Sequence, residues 1–131
     1  MARQALDLAR VGAESRPETL LRLLLVRSAI PEPELNVNVT NRRGRVLGRG
    51  DLVWEQWRAV VEYDGDQHRA SDRQYDRDIR RIEDFVAADW RVVRVRKRGL
   101  FVTPLDTVSR VESALHAGGW RPHASSRPKS T

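Results

Sequence analysis

The sequence of 131 residues predicts an α/β sandwich built on a mixed sheet. Three observations carry this. Residues 35–40 alternate Leu-Asn-Val-Asn-Val-Thr, the period of a half-buried strand, and short β-branched runs recur at 52–54, 58–63 and 91–97. Helical spacing precedes the first strand, separates the run at 58–63 from that at 91–97, and returns after the last. The order is thus helix, about three strands in meander, helix, strand, helix, and two parallel strands joined through a helix make a right-handed crossover.

Each element has its local reasons. Residues 2–11 carry Ala5, Leu6 and Ala9 at helical spacing and stop at Gly12, so 1–14 reads as a short helix or connector. Ser15-Arg16-Pro17-Glu18 is a capping-box pattern with proline in the first turn. The following stretch, 20–30, is apolar on most sides and reads as a buried helix stopped by Pro31 and Pro33. After the strand at 35–40, residues 41–50 form a turn bearing Arg42, Arg43, Arg45 and Arg49, with Val46 and Leu47 starting a return strand towards Asp51. Ser71-Asp72-Arg73-Gln74 opens a long amphipathic helix whose inner stripe is Tyr75, Ile79, Ile82 and Val86. Its other face carries charge pairs such as Asp76–Arg80 and Asp78–Arg81. Val92, Val93 and Val95 make a buried strand with Arg94 and Arg96 on one face. Thr103-Pro104 opens the last helix, whose stripe is Leu105, Val108, Val111 and Leu115, and Gly118-Gly119 ends it. Residues 120–131 read as a disordered polar tail.

Chemistry concentrates between Asp51 and His68. A hairpin centred between Gln56 and Trp57 sets Asp51 opposite Glu62, with side chains about 4.5–5.5 Å apart at Cβ, where like charges repel. A two-residue turn of Gln-Trp is unfavourable, but a four-residue loop over 55–58 keeps the same register. Strand alternation adds Asp64 on the same face, about 7 Å further along. Three carboxylates beside apolar strands call for a shared proton or a cation, and a divalent metal is the economical solution. Glu18 has two readings, a helix cap and an acid carried towards this cluster. His68 reads as a proton shuttle, an outer ligand or a phosphate contact, or as an ordinary loop histidine. Arg42, Arg43, Arg45 and Arg49 either grip phosphates or solvate a hairpin tip; Arg94 either offsets the acids or binds a phosphate.

Composition narrows the classes. Net charge is +6, and Lys97 and Lys129 are the only lysines, so the positive charge is nearly all arginine. That bias suits bidentate phosphate contacts and also follows from a GC-rich coding sequence. The chain has no cysteine, which excludes disulfides, thiolate zinc sites and a cysteine nucleophile. No apolar run approaches about 18 residues and no signal peptide is visible, so a cytoplasmic protein with no membrane partner is expected.

The run Asp51-Leu52-Val53-Trp54, the segment Glu62-Tyr63-Asp64-Gly65-x-x-His68, then Asp78-Ile79-Arg80-Arg81 and Asp89-Trp90-Arg91-Val92-Val93-Arg94 together resemble a known family. It is the very-short-patch-repair-like endonuclease domain (domain of unknown function 559) of the PD-(D/E)XK nuclease superfamily, often found at the end of AbiEi-type toxin–antitoxin proteins. The resemblance covers 15–119, which it delimits as one endonuclease-like domain. It implies a restriction-endonuclease-like sandwich, a mixed central sheet of about four to five strands flanked by helices. By the same resemblance Asp51 and Glu62 match the two metal-binding acids, Glu18 the helix acid of some members, and His68 the histidine after the Asp-Gly pair. The implied cofactor is Mg²⁺ or Mn²⁺, held by Asp51, Glu62 and Asp64. The implied partners are nucleic acid, in the first place DNA, and a second copy of the chain or a toxin–antitoxin partner. Asp64 stands where the superfamily usually has lysine. That departure supports a second expectation: a catalytically inactive module of the same fold that binds nucleic acid or protein in a toxin–antitoxin or defence system.

Overall fold

The structure, a computed structural model, describes residues 16–65 and 72–122. Helix α1 (Pro17–Arg27) leads into a meander of β1 (Glu34–Thr40), β2 (Val46–Trp54) and β3 (Ala59–Asp64). Helix α2 (Asp72–Ala87) crosses to β4 (Arg91–Arg96), and α3 (Lys97–Phe101) and α4 (Pro104–Ala117) follow. The sheet is four-stranded in the order β1-β2-β3-β4. Its first three strands are antiparallel neighbours, and β3 and β4 are parallel. This is the mixed sheet flanked by helices that the element order predicts.

Strand alternation sorts the side chains into two cores. Leu52, Trp54, Val61, Val93 and Val95 meet Leu20, Leu21, Leu24 and Leu25 of α1 and Val111 and Leu115 of α4 on one face. Val53 and Val60 meet Val39, Phe85 of α2 and Trp90 on the other. Burying each such side chain is worth about 1.5–3 kcal/mol. β3 lies between two strands and under both layers, so Ala59, Val60 and Val61 are all buried. Glu62 continues this buried row, which is what gives the site its depth.

The β2–β3 hairpin has the predicted register, pairing Leu52 with Val61, Val53 with Val60 and Trp54 with Ala59. A 3₁₀ turn over Glu55–Trp57, closed by Arg58 in the left-handed region at φ 48°, connects the strands. The Arg58 side chain donates to the Ala88 carbonyl at 2.6 Å and lies 4.8 Å from the Trp90 ring centre. Gly50 is required by close approach, since a Cβ there would sit 2.7 Å from Val60 Cγ2 and 2.8 Å from Val53 Cγ2. The far end of the β1–β2 hairpin is tied to the α2–β4 turn, where the Trp90 indole donates to the Thr40 carbonyl at 2.8 Å.

Several local expectations are corrected. α1 begins at Pro17 with Arg16 as its N-cap and no side-chain cap bond, one residue later than the S-x-x-E pattern requires. Glu18 therefore falls outside the capping-box position. The inner stripe of α2 is rotated: Tyr75 and Val86 are exposed, while Phe85 is fully buried beside Ile82 and Ala88. The small second core, already holding Trp90, takes the larger aromatic ring. Leu105, expected on the stripe of α4, is 68% exposed, while Thr107 is buried and donates to the Gly99 carbonyl of α3 at 2.7 Å. Trp120 is buried, and its ring meets Trp57 edge-on at 6.5 Å. The folded unit thus extends past 119, and the tail expected over 120–131 is ordered at its start. The helix expected at 2–11, the Ser71 cap and the tail beyond 122 lie outside the described residues. Among the described residues no helix is long and apolar enough to cross a membrane.

Candidate functional site

β2 and β3 stop pairing at Leu52 and Val61, and the next two residues use side chains where the ladder would have continued. The Asp51 N–H donates to Glu62 Oε2 at 3.0 Å, and the Tyr63 N–H donates to Asp51 Oδ2 at 2.7 Å. Each carboxylate is thereby fixed by the opposite strand, and the expected juxtaposition of Asp51 and Glu62 is present. The Glu62 residue is only 5% exposed. Its second oxygen, Oε1, accepts from Arg81 Nη1 at 2.6 Å, and the same nitrogen donates to the Arg49 carbonyl at 2.9 Å.

The electrostatics follow from this placement. Burial pushes the Glu62 carboxyl above its ordinary range and the negative Asp51 adds to the rise; Arg81 and the Asp51 N–H pull against it. Burial likewise raises Asp51, with Glu18 adding to the rise, while the Tyr63 N–H and Arg81 oppose it. The net result is an acid pair short of positive charge.

The pair lies in a cleft of about 570 Å³, whose walls bring in Arg16 and Glu18 from the start of α1, Arg49 from β2, and Gln74 and Arg81 from α2. Of the two readings of Glu18, the structure favours the acid near the cluster. Asp64 lines the cleft too, but its carboxylate pairs with Arg94 Nη2 at 3.3 Å, both side chains being nearly half exposed. All three acids of the expected cluster thus line one cleft, with Asp64 holding Arg94 as a counter-ion. Among the described residues no group of three acidic or histidine side chains is placed to hold one ion. Arg94 offsets an acid, as one of its two readings has it. His68 lies outside the described residues.

The arginine cluster is also divided. Arg49 borders the cleft and donates to the Asn36 carbonyl at 2.7 Å. Arg42 instead faces Asp89 at 3.7 Å. Asp89 precedes the Arg91–Ala59 pairing and so lies towards the opposite end of β3 from Glu62. Arg43 and Arg45 belong to the same tip, which is organised by their main-chain N–H groups donating to Asn41 Oδ1. Of the four arginines, Arg49 alone is among the residues that line the cleft. Sequence reasoning missed Arg81 by assigning it to the solvated face of α2. Its spacing of four from Phe85 was the available signal, and its guanidinium lies 5.5 Å from that ring.

Compared with family models, with curated proteins and with solved structures, the chain finds no match in any of the three. The case for function therefore rests on the chemistry of the cleft.

Proposed function

We propose that the chain is a metal-dependent phosphodiesterase of the PD-(D/E)XK type, acting on DNA as an endonuclease. The observation that carries this is the Asp51–Glu62 pair, with Glu62 buried and Asp51 half-buried, held by opposing strand N–H groups in a cleft bordered by Arg16, Arg49 and Arg81. Two adjacent carboxylates, one buried and one half-buried, suit a hard divalent cation, and Mg²⁺ commonly takes one or two protein carboxylates and keeps several waters. Asp51 and Glu62 would hold it. When bound, Mg²⁺ or Mn²⁺ supplies Lewis acidity towards a phosphoryl oxygen and lowers the pKa of a coordinated water.

The chain's own residues do the remainder. Arg16 and Arg49 bind phosphate oxygens and set the scissile group over the acids, and their charge stabilises the extra negative charge of the transition state. Glu18 and Asp64, which both line the cleft, are the further described carboxylates that could accept the proton of the attacking water. His68 remains the alternative acceptor by resemblance.

A second reading, a nuclease-fold module that binds without cutting, is favoured by one specific observation. Asp64, which by the resemblance stands where the superfamily has lysine, pairs with Arg94 at 3.3 Å. A plasmid-nicking assay with Mg²⁺, Mn²⁺ or EDTA on wild type and Asp51→Ala separates the two. Metal-dependent nicking lost in the variant supports the enzyme. Equal cleavage by both proteins sinks it, and salt-sensitive binding without cleavage supports the module.

A further inference from the structure

We infer that Arg81 is an exchangeable counter-ion that keeps the acid pair closed to metal until a phosphodiester enters the cleft. The inference rests on the metal-site reading above and adds its regulation. The geometry points to it in three ways. Arg81 Nη1 contacts Glu62 Oε1, the Glu62 oxygen not bonded to the strand, so it takes up the oxygen that would otherwise be free to ligate a cation. The same nitrogen is shared with the Arg49 carbonyl at 2.9 Å, so one nitrogen serves both protein partners. The side chain is 29% exposed and borders the cleft, whereas Glu62 is almost sealed.

A guanidinium has five N–H donors in a planar fork, and that fork matches phosphate in a bidentate fashion. A phosphate in the cleft therefore offers Arg81 a second anionic partner within its own reach. Turning the guanidinium to the phosphate would free Glu62 Oε1 to ligate a cation and would leave the acid pair without its counter-charge. Both changes favour a divalent cation. Metal and nucleic acid then bind with positive coupling, and by linkage each raises the affinity for the other by the same factor.

The stem of Arg81 makes the exchange a matter of its tip. A Cβ placed on Gly48 would lie 2.8 Å from Arg81 Cδ, so the aliphatic part is tightly seated against β2. Arg81→Met keeps an unbranched stem there and removes the charged fork.

The test is Mn²⁺ binding, read by the electron paramagnetic resonance of free Mn²⁺, with and without a short phosphorothioate DNA duplex. Proteins compared are wild type, Arg81→Met, Arg81→Lys and Glu62→Ala. Without duplex, Arg81→Met is expected to bind Mn²⁺ at least about tenfold more tightly than wild type, and Arg81→Lys to stay weak. With duplex, wild type gains about tenfold and Arg81→Met gains little. Equal Mn²⁺ affinity of wild type and Arg81→Met, with Glu62→Ala weaker than both, overturns the counter-ion while leaving the metal site standing. Tight binding by Arg81→Lys, or an equal duplex effect in both proteins, overturns it as well. Absence of Mn²⁺ binding in every protein, with or without duplex, removes the metal site itself and the inference with it. Should Arg81→Met fail to fold, the wild-type arm decides, and no gain on adding duplex overturns the inference.

Discussion

Replacing Asp51 by Asn should stabilise the protein at neutral pH when no divalent metal is present. The substitution keeps an oxygen that can accept the Tyr63 N–H, now 2.7 Å from Oδ2, and removes one charge from the pair. Two unit charges about 5 Å apart at an effective dielectric near 20 repel by about 3 kcal/mol. Against this stand the weaker hydrogen bond from Tyr63, about 1 kcal/mol, and the lost attraction of Arg81 for Asp51. The expected net gain is about 1 kcal/mol, or about 3–5 °C in melting temperature for a domain of this size. The sign of the pH dependence follows from the raised proton affinity of both carboxyls. A folded state that holds protons more tightly than the unfolded chain loses stability as pH rises from about 4, the unfolded value, through the folded one. The wild type should therefore lose stability over that window more steeply than Asp51→Asn, and the difference should vanish below about pH 4. Urea titrations in EDTA at several pH values measure this. A variant less stable than wild type at pH 7, or a gain undiminished in acid, would falsify the account of repulsion between Asp51 and Glu62.

Other outcomes follow from neighbouring features. Gly50→Ala forces a methyl to within 2.7 Å of Val60 Cγ2 and should cost about 1–3 kcal/mol in urea titrations. The Asp64–Arg94 pair, nearly half exposed on both sides, should show a coupling of no more than about 1 kcal/mol in a double-mutant cycle. If the cleft binds nucleic acid, Arg49→Ala should weaken duplex binding and reduce its salt dependence by about one counterion, measured by fluorescence anisotropy. Arg42→Ala, beside Asp89, should do less in the same assay. Trp90→Phe removes the bond to the Thr40 carbonyl at 2.8 Å. It should cost about 1 kcal/mol and speed amide exchange at 41–45 without altering Mn²⁺ binding.

The parts of the site that were legible in the sequence are those fixed by local periodicity. A strand repeat of two determined that Asp51 and Glu62 would meet once the turn had an even number of residues, and both acids are where that argument puts them. Asp64 obeys the same alternation. Its orientation was not legible, because it depends on Arg94 from a strand that arrives only through the crossover. The choice between the two readings of Arg42, Arg43 and Arg45 was not legible for a related reason. Alternation says nothing about the coiling of a hairpin, and the bond from Trp90 to Thr40 joins residues far apart in the chain. Arg81 was hidden by its charge, since a helical arginine beside acids ordinarily faces solvent. Only the choice of Phe85 over Val86 as the buried residue turns it inward. The identity of the four-stranded fold survived these errors because it depends on element order and not on any one side chain.

The two carboxylates of the Asp51–Glu62 pair are separated by 11 residues, whereas Arg81 comes 19 residues after Glu62, on the crossover helix. Charge and counter-charge therefore belong to different stages of folding. The hairpin can close in about 1–10 μs on its own, and when it does so above the pKa of its acids it brings two like charges together with nothing to balance them. Docking of α2 delivers the balancing charge. Hairpin closure and helix docking are thus expected to be coupled more strongly at neutral pH than in acid, where both carboxyls carry protons.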